Sequence, residues 1–513
     1  MPEANNSTKA DPNFEGSPPN PIPDSSTPGE VRDLFNTLPV EGKPRNILNM
    51  KSPQELRDHL ARLGLVLPVD DKILTTEEGS PLADPITIGG FTIGNRWCIH
   101  PMEGWDGTKG GGPGENTIRR WERIGLSGAK LAWGEATAVQ HDGRANAHQL
   151  MATPDHVEGL ALLLKTLKDA HGERFGTIED LLVGLQLTHS GRFCRPNGPD
   201  LEPRIACHHP LLDEMFGIDP NDDSVVWTDE DLEILIDAYV DAAKTAQQAG
   251  FQFVDIKACH GYLFHGFLSA HTRPGEFGGD FDGRTRLLLT TIDRVRSACP
   301  DLIIGTRLSA FDTLPHQPGK GPMDPKDNIP YNYGFGINQD DPTKIDLTEP
   351  IRLIKKLRDH GVSVVNISAG SPYYNPDVQR PTTFKPFEDP LIDVCRQISF
   401  TRECKKAVPD MPMVGTGYTC LGRHTPHVGQ AVVREGWTDF VGLGRQVLSC
   451  PQLPADALEK GKLDEGQLCC TCGACTVSAR SGLTSGCYTK DPHYRDGPDG
   501  PKVKELMAEA LKK

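Results

Sequence analysis

The sequence predicts an α/β fold, a (β/α)8 TIM barrel, and three observations carry that prediction. Eight short apolar runs recur along the 513 residues. A helix-sized interval follows each run. Polar or glycine residues stand at the C-terminal end of run after run, where a barrel of this kind gathers its chemistry. A doubly wound parallel sheet is the competing architecture. The count of strands and the lengths of the intervals favour the barrel.

Residues 1–50 are expected to be a disordered N-terminal tail, because the first part is rich in Pro, Ser, Asn and Asp and poor in apolar residues. Residues 51–80 hold a helix and a linker. Ser52 suits an N-cap, Pro53 the first helical position, and Glu55 completes a capping box for a helix over 52–63. The barrel takes 81–460. PITIGGFTIGNRWCIHPM opens it with a β-hairpin that turns at Gly89-Gly90. The strands are expected at 97–101, 130–135, 182–187, 253–257, 302–307, 363–368, 412–416 and 439–443. Amphipathic stretches fill the intervals. DEDLEILIDAYVDAAKTAQQAG, for example, starts after an N-cap at Thr228 and ends at Gly250. Residues 461–513 form a cysteine-rich extension with a C-terminal helix.

A formal charge of −16 and a pI of about 5.5 argue against nucleic acid or an anionic membrane as partner. No window approaches the ~18 apolar residues of a membrane span. The start, MPEANNSTKADPNF, has neither a basic nor an apolar region, so no signal peptide is expected. Of the 14 cysteines, most scatter over apolar segments, as at Cys98, Cys259 and Cys395, and several crowd near the C-terminus. That pattern fits a reducing, cytoplasmic compartment with a metal or cluster site better than a disulfide framework. The expected partners are a small-molecule substrate and an electron-transfer partner, with an oligomer left open.

The densest chemistry lies in DIKACHGYLFHGFLSAHTRPGEFGGDFDGRTR, residues 255–286. Lys257, His260 and Tyr262 bunch a cation, an imidazole and a phenol at the end of the fourth strand. Such a loop suits proton transfer or oxyanion binding. Other strand ends carry Pro101-Met102-Glu103, Glu135-Ala136, Gln186, His189 and Arg307. Gln186 offers donors and an acceptor that suit the pyrimidine edge of a flavin; the plain alternative is a satisfied core amide. Arg307 keeps its charge and suits an anionic reduced flavin, or else a buried ion pair. His189, in QLTHSGR, is either catalytic or an imidazole bonded to barrel backbone. Glu103 is a partner for Lys257 or a structural acid.

The last two strands read MVGTGYT and FVGLGRQ. Gly417 and Gly444 there let backbone amides approach a phosphate, and Arg445 adds a charge-assisted contact. Near the C-terminus, LCCTCGACTVSARSGLTSGCY places Cys469, Cys472 and Cys475 with two residues between neighbours, and Cys487 after eleven more. Four thiolates so spaced suit an iron–sulfur cluster. Structural zinc and free thiols are the alternatives, and Cys470 is read as a bystander.

Together these motifs resemble the old yellow enzyme family of NAD(P)H:flavin oxidoreductases over about residues 80–490. GNRWCIHPM, QLTHSGR, the 255–286 stretch, GTRLS and FVGLGRQVLSCPQLP carry the resemblance in order along the chain. The cysteine tail resembles the subgroup of 2,4-dienoyl-CoA reductase and trimethylamine dehydrogenase, whose members bind a 4Fe–4S cluster just after the barrel. The resemblance implies FMN at the barrel mouth, held by Pro101, Met102, Ala136, Gln186, Arg307, Gly417, Gly444 and Arg445. It implies NAD(P)H as hydride donor and an electron-poor alkene as acceptor. Residues 257 and 260 would then bind the substrate's carbonyl oxygen, and Tyr262 would protonate the other alkene carbon. The implied cluster ligands are Cys469, Cys472, Cys475 and Cys487.

The sequence also departs from the family pattern. Lys257 stands where the family usually has His, and Glu103 where it commonly has Thr, Cys or Ala. The second and third cysteines stand one residue closer together than in the subgroup. Two rival readings remain: an amine or ether dehydrogenase passing electrons through the cluster, and a non-catalytic ligand-binding barrel with zinc in its tail.

Overall fold

The computed structural model describes residues 32–37, 44–317, 321–381 and 388–512. Eight parallel strands form a closed ring. They are Trp97–Ile99 (β1), Leu131–Ala132 (β2), Leu182–Thr188 (β3), Phe253–Ile256 (β4), Ile303–Ser309 (β5), Val364–Ser368 (β6), Met413–Gly415 (β7) and Phe440–Leu443 (β8). Each pairs with its neighbours in chain order, and β8 closes on β1 through Val441 opposite Trp97. The fold is therefore the (β/α)8 barrel that the sequence predicts. A helix follows every strand, from Glu115–Gly125 after β1 to Leu453–Lys460 after β8. A parallel strand needs such a crossover, and the helices cover its outer face. That is why β3, LVGLQLT, is buried along its whole length.

The barrel interior changes character from bottom to top. At the N-terminal end the hairpin Ile86–Ile88 and Phe91–Ile93 turns at Gly89 and Gly90, both at positive φ, as its tight turn requires. Its Ile88 and Ile93 join Cys98, Leu131, Leu182 and Phe253 in one apolar cluster that plugs the bottom. Trp133 meets Phe253 edge to face at 4.8 Å. The space for the Phe253 ring comes from Gly184, where an added Cβ would lie 1.9 Å from the ring.

Above this plug the lining turns polar. Asp255 accepts from Trp133 Nε1 and from the Arg307 amide, each at 2.7 Å, and from the Gln186 side chain. His100 and Asn366 pair at 3.0 Å. Buried polar groups need partners, so this layer holds the strand ends in fixed directions.

Local differences from the sequence reading have physical causes. The second strand splits into Leu131–Ala132 and Ala136–Ala138. Between the two pieces, Glu135 is drawn onto Arg120 at 3.0 Å and Trp121 Nε1 at 3.1 Å. The helix Pro53–Leu63 is capped by Ser52 as expected, but Glu55 reaches the Lys51 amide rather than that of Ser52. Thr228 caps the helix Asp229–Gln248. The sequence places residues 1–50 in a tail. Residues 1–31 and 38–43 lie outside the described residues. Ile47 and Met50 are fully buried, and the Thr37 amide donates to the Thr343 carbonyl at 2.8 Å. Among the described residues no helix is long and apolar enough to cross a membrane.

Candidate active site

A cavity of about 260 Å³ opens at the C-terminal mouth of the barrel. The strand ends deliver the candidate residues to it. Pro101, Met102, Ala136 and Gln186 come from the first three strands, Arg307 from β5, and Gly417, Gly444 and Arg445 from β7 and β8. Lys257, His260 and Tyr262 line the same space. Hence all eight cofactor candidates and all three catalytic candidates meet at one cavity.

The loop after β4 is tightly specified. His260 has φ 66° and Gly261 φ 76°, a left-handed pair that costs a non-glycine residue energy. Two hydrogen bonds hold it: the His260 amide donates to Ser309 Oγ at 3.0 Å, and Ser371 Oγ donates to the His260 carbonyl at 2.7 Å. The imidazole is fixed as well, with Nε2 2.8 Å from Ser368 Oγ and 3.3 Å from the Gln379 amide nitrogen. Burial, then Arg307 and Lys257, holds its pKa well below the usual value, so the ring is neutral.

Tyr262 donates to Glu103 Oε2 at 2.7 Å and lies 3.0 Å from the Tyr373 hydroxyl. Lys257 Nζ sits 3.4 Å above the centre of the Tyr262 ring, a cation–π contact. Glu103 therefore accepts its shorter hydrogen bond from Tyr262 and a longer one, 3.4 Å, from Gln149 Nε2, while Lys257 acts on it through space. Burial raises Glu103 above the ordinary carboxylate range, with Lys257 pulling the other way. Burial and then the Glu103 charge keep the Tyr262 phenol protonated. Burial lowers Lys257.

The cofactor candidates pass a chemical test. Arg307 Nε is a buried donor with no hydrogen-bond partner among the described residues, and its side chain lines the cavity. That is the condition of a cation made to meet an anion brought in from outside. At Gly444 an added Cβ would meet no atom within 4 Å, so the backbone faces open space. Arg445 stands beside it and makes weak contacts with the Pro381 carbonyl at 3.4 Å and Cys420 Sγ at 3.8 Å. Gln186 gives its side-chain amide to Asp255 and so presents a fixed edge. A flat ring carrying a phosphate, such as FMN, fits this donor set.

Not every strand-end candidate belongs to the site. His189 does not line the cavity; its Nδ1 accepts from the Gly191 amide at 3.1 Å and its ring packs edge-on against Trp227. Glu135 is occupied by Arg120, Trp121 and the Gly104 amide. Other lining residues are absent from the sequence-based set. His100 lies inside the quoted GNRWCIHPM and follows the same strand-end rule that picks out Pro101. Tyr373, Gln379 and Arg380 belong to the segment after β6, where Gln379 ends the short helix Pro376–Gln379, and Arg480 to the extension helix Ala474–Arg480. No local pattern marks those four, because chain closure alone brings them to the mouth.

The cysteines form a second, smaller space. Cys469, Cys470, Cys472, Cys475 and Cys487 line a cavity of about 20 Å³, and all are free thiols. Among the described residues, no three His, Cys, Asp or Glu side chains stand close enough together to hold a metal ion. The residue types still suit a cluster, because five thiols line this one space, with Cys472 Sγ 3.1 Å from Thr489 Oγ1. Arg445, Leu448 and Cys475 line both cavities, so a thin wall separates them.

A sequence profile of the NADH:flavin oxidoreductase / NADH oxidase family matches residues 81–349. The chain belongs to that family. It is an oxidoreductase, and membership implies FMN with NAD(P)H as reductant. Relatives agree. An NADPH dehydrogenase of Geobacillus thermodenitrificans is 27% identical over 74% of this chain and 94% of its own. An NADH:flavin oxidoreductase of Gibberella zeae is 28% identical over 74% and 85%. Among solved structures, an old yellow enzyme homologue from Zymomonas mobilis shares the fold with a TM-score of 0.52 at 24% identity, over 74% of this chain and 93% of that one. A 2-naphthoyl-CoA reductase superposes with a TM-score of 0.61 at 20% identity, over 81% of this chain. Histamine dehydrogenase from Rhizobium sp. 4-9 does so with 0.57 at 19%, also over 81%. This chain spans 57% and 52% of the length of those last two.

Proposed function

We propose that this oxidoreductase reduces the electron-poor double bond of a small carbonyl compound. FMN, when bound, supplies the hydride transfer between NAD(P)H and the alkene. The carrying observation is the convergence of Lys257, His260, Tyr262 and an Arg307 Nε without a hydrogen-bond partner among the described residues on the cavity that Gly444 leaves open. Lys257 and the neutral His260 hold the substrate's carbonyl oxygen, where negative charge grows as the alkene accepts hydride. Tyr262 turns its hydroxyl from Glu103 to the opposite carbon and releases its proton there. The phenolate left behind lies against Lys257, which offsets its charge. Glu103 then holds the returning proton in line with Tyr262 and Tyr373. A general acid of this kind contributes roughly 10²–10⁴-fold.

The test is an anaerobic spectrum of the FMN-loaded protein. NADPH or NADH is expected to bleach the flavin band, and cyclohexenone to restore it. Bleaching by amines but not by either nicotinamide would replace this reading with amine dehydrogenation.

The shared wall of Arg445 and Cys475 supports a further part of the proposal. Cys469, Cys472, Cys475 and Cys487 would hold a 4Fe–4S cluster, which supplies one-electron exchange with an electron-transfer partner. Iron and acid-labile sulfide at about four each per chain would support it; zinc without iron would overturn it.

A further inference from the structure

The cavity is far more cationic than the protein around it. Arg120 lines it but is neutralised by Asp106 and Glu135. Lys257, Arg307, Arg380, Arg445 and Arg480 also line it, against one lining carboxylate, Glu103. None of these five forms an ion pair among the described residues; Asp377 feels the charge of Arg380 without pairing to it. The whole chain, by contrast, carries −16.

Bound FMN would draw on this excess. Its phosphate carries about two negative charges near neutral pH, as other phosphate monoesters do, and the reduced ring adds about one. Arg307 and Arg445, at the ends of β5 and β8, stand where the flavin and its phosphate would draw on it, which leaves Arg380 and Arg480 to be accounted for. Arg380 and Arg480 come from neither β7 nor β8, whose glycines suit the phosphate. Arg480 lies 5.6 Å from the centre of the Tyr373 ring and spends one of its N–H donors on the Pro372 carbonyl at 2.5 Å. Arg380 donates to the same carbonyl at 3.3 Å and to Thr476 Oγ1 at 2.7 Å. Thus, among the described residues, one carbonyl and one hydroxyl accept from two guanidinium groups that together offer about ten N–H donors. The Tyr373 hydroxyl, in turn, touches that of Tyr262.

We propose that Arg480, seconded by Arg380, seats an anionic group of the substrate, so that the natural substrate is an electron-poor alkene bearing a carboxylate at its far end. The inference rests on the alkene-reduction reading. It assigns a specificity role to the extension helix Ala474–Arg480, which lies outside the matched family region. A planar carboxylate suits a guanidinium fork, and Tyr373 spaces that group from the proton donor Tyr262.

The test uses the FMN-loaded full chain and two probes that share one skeleton, para-carboxybenzylideneacetone and its methyl ester. Their saturated counterparts are titrated into the oxidised protein, with the flavin absorbance as binding signal. The acid is expected to bind about ten-fold more tightly than the ester, the worth of one charge-assisted contact. Arg480→Gln should bring that ratio close to one, and Arg480→Lys should keep part of it. A wild-type ratio near one, or a ratio unmoved by R480Q, overturns the proposal. So does a rise in KM for NADPH alone, which would give the arginines to the donor's phosphate. Should R480Q fail to fold, the wild-type ratio is compared at low and high salt, where screening should shrink it; a salt-independent ratio counts against the seat. If cyclohexenone is not reduced but the ratio stands, alkene reduction falls and the anion seat remains.

Discussion

The two ends of the barrel use the same residue for opposite purposes. At the bottom, Gly184 is a notch already filled: a Cβ there would press to 1.9 Å from the Phe253 ring. At the top, Gly444 is a notch left open, with nothing within 4 Å of the same hypothetical atom. Below, rings and branched side chains pack into one buried apolar cluster. Above, Arg307 Nε lacks a partner among the described residues and cations outnumber carboxylates. Stability is thus concentrated where the strands begin, and unmet binding capacity where they end.

Mutations at the two ends should separate these roles. Gly184→Val is expected to have the largest effect, because β3 and β4 cannot part to admit the side chain. Overpacking of this kind costs about 3 kcal/mol or more, and soluble folded protein should be lost; a stable variant by circular dichroism would show that the plug can yield. Next comes Tyr262→Phe. Stopped-flow reoxidation of the reduced protein by an enone should slow by roughly 10²-fold or more, while reduction by NADPH keeps its rate. Equal slowing of both halves would deny Tyr262 its proton. A smaller effect is expected at the open notch. Gly444→Val should leave the unfolding temperature of the FMN-free protein within a few degrees, yet weaken FMN retention by about ten-fold or more, read by ultrafiltration. Unchanged retention would move the phosphate seat elsewhere.

The same contrast explains what can be read from the chain. The strands are legible because fully buried parallel strands are short apolar runs, as in Met413–Gly415 and Phe440–Leu443. Gln186, Arg307 and the Lys257–Tyr262 loop are legible because polarity breaks each run just where the mouth lies. His100 obeys that rule too, but one His beside Pro101 has no distinguishing spacing. Tyr373, Arg380 and Arg480 obey no local rule. They stand far along the chain from the Lys257–Tyr262 loop and in no repeating pattern. Only ring closure and the folding back of the extension bring them to the cavity.

The smallest expected effect tests the polar end most finely. Burial raises the Glu103 carboxyl above the ordinary range, while Lys257 and the Tyr262 hydroxyl pull it down. A carboxyl raised on folding contributes stability that is fully present below its unfolded value and is lost as pH rises through its folded one. Gln at this position stays neutral throughout. The unfolding temperature of Glu103→Gln minus that of the wild type should therefore be smallest in acid and grow as pH rises through the ionisation of Glu103. Asp255, pushed up to about 6 by burial, titrates with the same sign. It is present in both proteins and cancels in the difference. A gap that shrinks with rising pH would mean that the attraction of Lys257 outweighs burial. Glu103 would then be a standing carboxylate that holds the lysine, and the proton returned to Tyr262 would have to come from solvent.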